Sequence, residues 1–87
     1  MPTLFLTHKV KSYDLWRPFY DRHLPKRAEA GLREIGVFRD SNDPNELLIA
    51  WTVSDLNQAK EFMKSPDLES KMKEAGVVSE PKIWFAD

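Results

Sequence analysis

Cysteine is absent from this 87-residue chain, and histidine occurs only twice, as His8 and His23. Without cysteine the protein has no disulfides, no thiolate metal ligands and no cysteine nucleophile. A structural zinc site would need carboxylates for half of its ligands, which is unusual, so we expect no metal site. A domain of this size buries only about 60–65% of its unfolded surface, and oligomerisation is the remaining common source of extra stability.

An excess of one charge sign and a long apolar run are also missing. The chain has 13 Lys+Arg against 14 Asp+Glu, with the signs mixed along its length. Nucleic-acid binding requires a basic excess on one face, and the longest apolar run, residues 47–51, is far too short to span a membrane. Residues 1–3 show no basic segment leading into an apolar stretch, so no signal peptide is predicted. We therefore expect a soluble, cytoplasmic protein with neither nucleic acid nor a membrane as its partner.

Glycine is scarce, and the three glycines stand alone at positions 31, 36 and 76. A glycine-rich phosphate loop is therefore not present. None of the serines lies in a Gly-x-Ser-x-Gly nucleophile elbow. The sequence argues against nucleotide hydrolysis and against serine-hydrolase chemistry.

The spacing of apolar residues changes along the chain between the two-residue period of strands and the longer period of helices. Alternating β-branched and aromatic residues predict strands, and apolar residues at three- and four-residue steps predict helices. Two prolines complicate the first helix: Pro18 fits its first turn if Asp14 is the cap, and Pro25 should kink it. The expected order is strand, helix, strand, strand, helix, strand, over residues 3–10, 13–31, 32–40, 46–53, 55–76 and 82–86, with the second helical region broken in two at Ser65-Pro66.

This βαββαβ order predicts a single α+β domain over residues 1–87, with ferredoxin-like topology and a four-stranded antiparallel sheet covered by helices on one face. The first and third strands carry apolar residues on both faces, as Leu4 and Phe5 or Leu47 and Leu48 illustrate. A sheet face that is apolar and lies outside the helical layer predicts a partner. We expect a homodimer formed by two such sheets.

Nine segments carry a family resemblance: His8-Lys9-Val10, 13–18, Arg27, Ala30-Gly31-Leu32, Val37-Phe38-Arg39, Asp43-Pro44-Asn45, 59–62, Ser65-Pro66-Asp67-Leu68 and 72–77. They resemble the dimeric α+β barrel superfamily, which includes antibiotic-biosynthesis-monooxygenase-like domains and small cyclase-like uncharacterised proteins. The resemblance implies a barrel-like dimer, a pocket between helix and sheet in each subunit, and no cofactor. Relatives include cofactor-free monooxygenases, polyketide cyclases, haem-degrading enzymes and members with no known activity, so it is compatible with oxygenation, cyclisation or isomerisation of an aromatic or polyketide-like substrate and with no catalysis at all. The Asn/Trp/His constellation of the haem-degrading relatives is not evident.

Six residues are candidates for a site. His8 and Tyr20 are the candidate catalytic groups, because imidazole serves as acid or base near neutral pH and a phenol can position or protonate an oxygen. The candidate ligand-binding residues are Trp16, His23, Arg27 and Trp51. Arg27 could hold a carboxylate or a phenolate. Each residue also has a structural interpretation: core packing for Trp16 and Tyr20, core or dimer-interface packing for Trp51, a hydrogen-bonded strand residue for His8, a surface or kink-stabilising role for His23 and an ion pair for Arg27.

Two functions therefore remain open. The first is a small-molecule enzyme that uses His8 as acid or base on a flat aromatic ligand. The second is a non-catalytic ligand-binding or interaction module whose aromatics are simply core.

Overall fold

The computed structural model describes residues 1–87, and eight elements follow one another along the chain. The four strands and four helices are β1 (Thr3–Lys9), α1 (Tyr13–Arg22), α2 (Leu24–Glu29), β2 (Leu32–Arg39), β3 (Glu46–Val53), α3 (Leu56–Met63), α4 (Pro66–Glu74) and β4 (Lys82–Ala86). The predicted α+β class and ferredoxin-like topology are confirmed, with each helical region divided in two. No helix has the length and apolar character needed to cross a bilayer.

The sheet has the order β2-β3-β1-β4, and every neighbouring pair is antiparallel. The first strand is one residue shorter than predicted, because Val10 forms only an isolated bridge, to Val77. A register shift between Glu34 and Gly36 marks a bulge in β2. Such a bulge re-aims the side chains around it, and here Glu34 pairs with Trp51.

The helix expected over residues 13–31 is wrong in one respect: it is two helices, which meet at His23. Pro25 does not kink a continuous helix but lies in the first turn of α2. That position tolerates proline because the first-turn N–H groups have no intrahelical partner. The break matters for the site, since it turns the His23 side chain toward the α3–α4 side of the molecule.

The helix starts follow the capping chemistry of the sequence. The Ser12 hydroxyl, rather than Asp14, caps α1, so Pro18 lies inside that helix and not in its first turn. The side chains of Asp55 and Ser65 cap α3 and α4 by accepting hydrogen bonds from backbone N–H groups three residues on. These three caps fix where the helices that cover the sheet begin.

Two glycines end the covering helices, as the sequence predicts. Gly31 follows α2 with φ of +82°, and Gly76 follows α4 with φ of +89°. Side chains disfavour this left-handed conformation, so glycine suits both positions. After each glycine the chain returns to the sheet.

One sheet face meets the helices and carries the core. Leu4, Leu6, Leu47 and Ile49 are almost fully buried there and belong to one cluster with residues of α1, α3 and the segment after α4. The opposite face carries Phe5, Phe38, Leu48, Ala50 and Trp84, and we call it the open face. Phe38, Leu48 and Trp84 remain 38–52% exposed on it. The sequence prediction that both faces are apolar is therefore confirmed.

Candidate functional site

A cavity of about 290 Å³ lies between the helices and the covered sheet face. Its volume is at the lower end of the range for small-molecule pockets. The sheet supplies Leu6, His8, Ile49 and Trp51, and the remaining walls come from the helices and the residue after α4. All six residues singled out in the sequence line this one cavity: His8, Trp16, Tyr20, His23, Arg27 and Trp51.

His8 is the most unusual group in the wall. It is only 3% exposed, and neither ring nitrogen has a hydrogen-bond partner. Burial lowers the pKa of His8 to about 4, so the imidazole is neutral at pH 7. A neutral imidazole offers one N–H donor and one acceptor nitrogen. His8 lines the cavity, and no protein group engages its donor or its acceptor.

Aromatic rings extend from His8 along α1. The imidazole meets the Trp16 ring edge-on with centroids 5.8 Å apart. Trp16 in turn stacks on Tyr20 with centroids 4.7 Å apart. Residues four apart on a helix lie on the same face, so the local sequence dictates this pair. Tyr20 lies between Trp16 and the Arg27 guanidinium, so the two rings line the cavity as an apolar stack.

Tyr20 carries a polar tip that is already engaged. Its hydroxyl donates a hydrogen bond of 2.6 Å to Oε1 of Glu34 on β2. Burial, followed by this hydrogen bond, raises the pKa of Tyr20. The Trp51 indole N–H lies close enough to the hydroxyl to oppose that rise but makes no hydrogen bond of normal geometry. Tyr20 is therefore neutral and held in place by Glu34.

Arg27 is the second buried polar group of the wall. It is 7% exposed, and its guanidinium lies 3.7 Å from the centroid of the Tyr20 ring. Its Nη1 donates to the Tyr20 carbonyl oxygen at 2.7 Å. No carboxylate lies within ion-pair distance, so the structural interpretation of Arg27 as half of an ion pair is not what the structure shows. Burial is the main cause that lowers the pKa of Arg27.

His23 and Trp51 take different places in the wall. His23 lies at the junction of α1 and α2, with its ring 6.1 Å from that of Phe62 and its Nε2 3.9 Å from Asp67. Burial and then the charge of Arg27 lower the pKa of His23. Trp51 is 3% exposed on the covered face of β3, so it belongs to the cavity wall and the core, not to the open face.

Sequence reasoning missed residues that reach the site from a distance. Glu34 lies on the edge strand β2 and pairs in register with Trp51, so it shares the covered sheet face, where its carboxylate meets the Tyr20 hydroxyl of α1. Phe62 and Met72 belong to the apolar faces of α3 and α4, and both line the cavity. Their signal was the apolar stripe itself, which does not tell a packed contact from a cavity wall. No group of three or more histidine, aspartate or glutamate side chains converges as a metal site would require.

Comparison with known proteins identifies the fold. No protein-family model matches the sequence, and no curated protein is similar to it in sequence. Among solved structures, a putative antibiotic biosynthesis monooxygenase from Bordetella bronchiseptica is similar with a TM-score of 0.77, 12% identity, and coverage of 99% of this chain and 94% of that one. A putative antibiotic biosynthesis monooxygenase from Deinococcus radiodurans has a TM-score of 0.67, 18% identity, and coverage of 100% and 91%.

An oxygenase of described activity is also similar. SnoaB from Streptomyces nogalater, a cofactor-independent oxygenase, has a TM-score of 0.68, 15% identity, and coverage of 95% of this chain and 89% of that one. Identities this low establish shared architecture and leave chemistry to be argued from the site. The resemblance expected from the sequence is confirmed at the level of architecture: the chain has the α+β fold of the antibiotic biosynthesis monooxygenase proteins.

Proposed function

We propose that the protein binds a small, flat aromatic or polyketide-like molecule in the cavity, and that His8 acts there as acid or base in a cofactor-free oxygenation, cyclisation or isomerisation. The observation that carries the proposal is the state of His8. A buried polar group without a partner costs free energy, and a native structure retains one where it has a use. His8 has two such nitrogens and lines a cavity whose wall also includes the stacked Trp16 and Tyr20 rings.

The fold similarity to SnoaB, a cofactor-independent oxygenase, supports the chemical part of the proposal. The roles follow from the geometry. The Trp16–Tyr20 stack orients a planar ring, and His8 exchanges a proton with a hydroxyl or an enol at its end. Glu34 holds the Tyr20 hydroxyl, so Tyr20 acts as a fixed wall and positioning group. Arg27 also lines the cavity and makes one hydrogen bond within the protein, so its other N–H groups can hold a carboxylate or phenolate oxygen.

A second candidate function is non-catalytic binding of the same class of ligand. It is favoured by the pKa of His8, which burial lowers to about 4. An efficient acid–base catalyst has a pKa near the working pH, and a group this far below it is a weak base. In this reading His8 serves only as a donor and acceptor that fixes the ligand.

Calorimetric titration with planar probes such as 2-naphthol and 1,4-naphthoquinone tests the binding. Met72 lines the cavity, so Met72→Trp should block it and abolish binding. Lys73→Trp, on the exposed side of the same helix, is the matched control and should bind normally. Binding that survives Met72→Trp, or no binding of any planar probe, would contradict the proposal.

Oxygen consumption with a bound probe separates the two candidate functions. The enzymatic reading predicts turnover that His8→Ala abolishes while the circular dichroism spectrum remains unchanged. Full activity in His8→Ala would remove His8 from the chemistry. Probe binding without any oxygen consumption or product would favour the non-catalytic function.

We also propose that the open face pairs with a second copy of the chain. Phe38, Leu48 and Trp84 expose apolar surface there, and the Phe38 ring lies over Gly36 to widen it. An apolar sheet face of this kind typically marks an interface. Native mass spectrometry should give a mass of two chains for the wild type and of one chain for Trp84→Lys. A monomeric wild type would contradict this proposal and leave the cavity proposal standing.

A further inference from the structure

The cavity has two chemically different ends. The contacts run in the order His8, Trp16, Tyr20, Arg27, with distances of 5.8, 4.7 and 3.7 Å between successive groups. Two stacked aromatic rings therefore separate the neutral imidazole from the guanidinium. A flat ligand lying along this row would place one end at His8 and the other near Arg27.

The cavity wall carries more cationic than acidic residues, with Arg22, Arg27 and Lys71 against Glu74. Arg27 makes one hydrogen bond, to a carbonyl oxygen, and no ion pair. Arg22, at the end of α1, also lines the cavity; its guanidinium lies over the Phe19 ring and its Nε donates to the Pro18 carbonyl oxygen. Neither arginine has a carboxylate partner, so their charge is available to a ligand.

The opposite rim adds Lys71 from α4. Its Nζ lies 3.6 Å from Oε2 of Glu74, the single acidic residue of the cavity wall, and both side chains are about half exposed. Near His23, the charges of Arg27, Lys71 and Lys26 all act to lower its pKa, and Asp67 alone opposes them. The charges around His23 are therefore mostly positive, whereas Glu34 and Asp21 act on Arg27 with the opposite sign.

The two ends of the cavity favour different groups on a ligand. An anionic group would be disfavoured at the His8 end, because the neutral, buried imidazole cannot compensate its charge and burying an unpaired charge is very unfavourable. The cationic end is short of an anion, and a planar carboxylate matches the fork of a guanidinium. A ligand that satisfies both ends is polar but neutral at one end and anionic at the other.

We propose, as a refinement that rests on the proposed function, that the ligand is an aromatic monocarboxylate bearing a hydroxyl or carbonyl group at its far end. It enters with that neutral group toward His8 and leaves its carboxylate beside Arg27, within reach of Arg22 and Lys71. The carboxylate of the ligand thereby determines the specificity of binding, and its neutral end determines how the ligand is oriented in the cavity.

The test compares 6-hydroxy-2-naphthoate with its neutral isostere, 6-hydroxy-2-naphthamide, by calorimetry at pH 7. We expect the carboxylate to bind about tenfold tighter or more, equivalent to about 1.4 kcal/mol, and its advantage to shrink as salt is added. Arg27→Gln should remove most of this advantage, and Arg22→Gln/Lys71→Gln should remove a smaller part of it. Lys73→Gln, which neutralises an exposed lysine on the same helix outside the cavity, should preserve it.

A second comparison fixes the orientation and uses 2-naphthoate, which lacks the hydroxyl. His8→Leu should weaken 6-hydroxy-2-naphthoate and leave 2-naphthoate unchanged. Equal weakening of both probes would overturn the orientation. Equal affinity of the carboxylate and the carboxamide would overturn the charge assignment while the proposed function stands. Failure of every probe to bind would overturn both.

Discussion

Titration of His8 provides the sharpest physical test of the site. Burial lowers its pKa from 6.5 to about 4 in the folded protein, with no charged neighbour among the causes. Between these values the unfolded chain binds a proton that the folded chain does not, so the free energy of unfolding falls as the pH falls. His8 therefore does not penalise folding above pH 6.5, and its penalty is complete near pH 4.

The magnitude follows from the width of that interval. At roughly 1.36 kcal/mol for each pH unit, a fall from 6.5 to about 4 corresponds to a loss of about 3 kcal/mol. For a protein of this size that is a large part of the total stability. His8→Leu replaces the imidazole with an apolar group of similar volume and should remove this dependence.

The assay is urea denaturation of both proteins at pH 7, 6, 5 and 4. Carboxylates titrate in both proteins and cancel in the difference, so wild type should lose about 3 kcal/mol more than His8→Leu over this range. The NMR signal of the His8 ring, identified by comparison with His23→Gln, should titrate near pH 4. A flat difference curve, or a midpoint at or above 6.5, would refute the buried, neutral His8 on which the site depends.

Three further substitutions test the surroundings of the site. Tyr20→Phe removes the hydrogen bond to the Glu34 carboxylate and should lower the free energy of unfolding by about 1.5–3 kcal/mol, measured by urea denaturation at pH 7. Gly76→Ala forces a side chain into a left-handed conformation and should lower the free energy of unfolding by about 1–2 kcal/mol. Gly36 has no positive φ, so Gly36→Ala tests only the steric contact of a new methyl group with the Phe38 ring. Asp55→Ala removes the cap of α3 and should cost about 1 kcal/mol, seen as a lower Tm, while Asp55→Asn should restore it.

The parts of the fold that follow from local chemistry were predictable from the sequence. Alternation placed Leu4, Leu6 and His8 on one side of β1, and helical spacing placed Trp16 and Tyr20 together. For each of these residues, the geometry of its own strand or helix determines which neighbours share its face. The grouping of these residues on shared faces could therefore be predicted from the sequence, whereas the pocket between helix and sheet was expected only from the family resemblance.

What could not be predicted depends on contacts between elements. The break at His23 reflects which way the chain turns after α1, and proline spacing alone allowed a kinked helix instead. The contact between Glu34 and Tyr20 joins an edge strand to a helix, and a single sequence does not specify which residues of two distant elements will meet. The missing ion partner of Arg27 is likewise a property of the folded surroundings, since acidic residues are frequent along the chain.

The buried unpaired groups of the cavity are unexpected in a domain this small. A chain of 87 residues has little stability in reserve, yet this one buries two imidazole nitrogens without partners and an arginine without a carboxylate. Replacing such groups with apolar residues of similar shape is often neutral or stabilising, so their presence is not explained by stability. All of them line the same cavity. A ligand that pairs with them would recover the lost hydrogen bonds and charge compensation together, and this common location is the strongest reason to regard the cavity as a binding site rather than a packing defect.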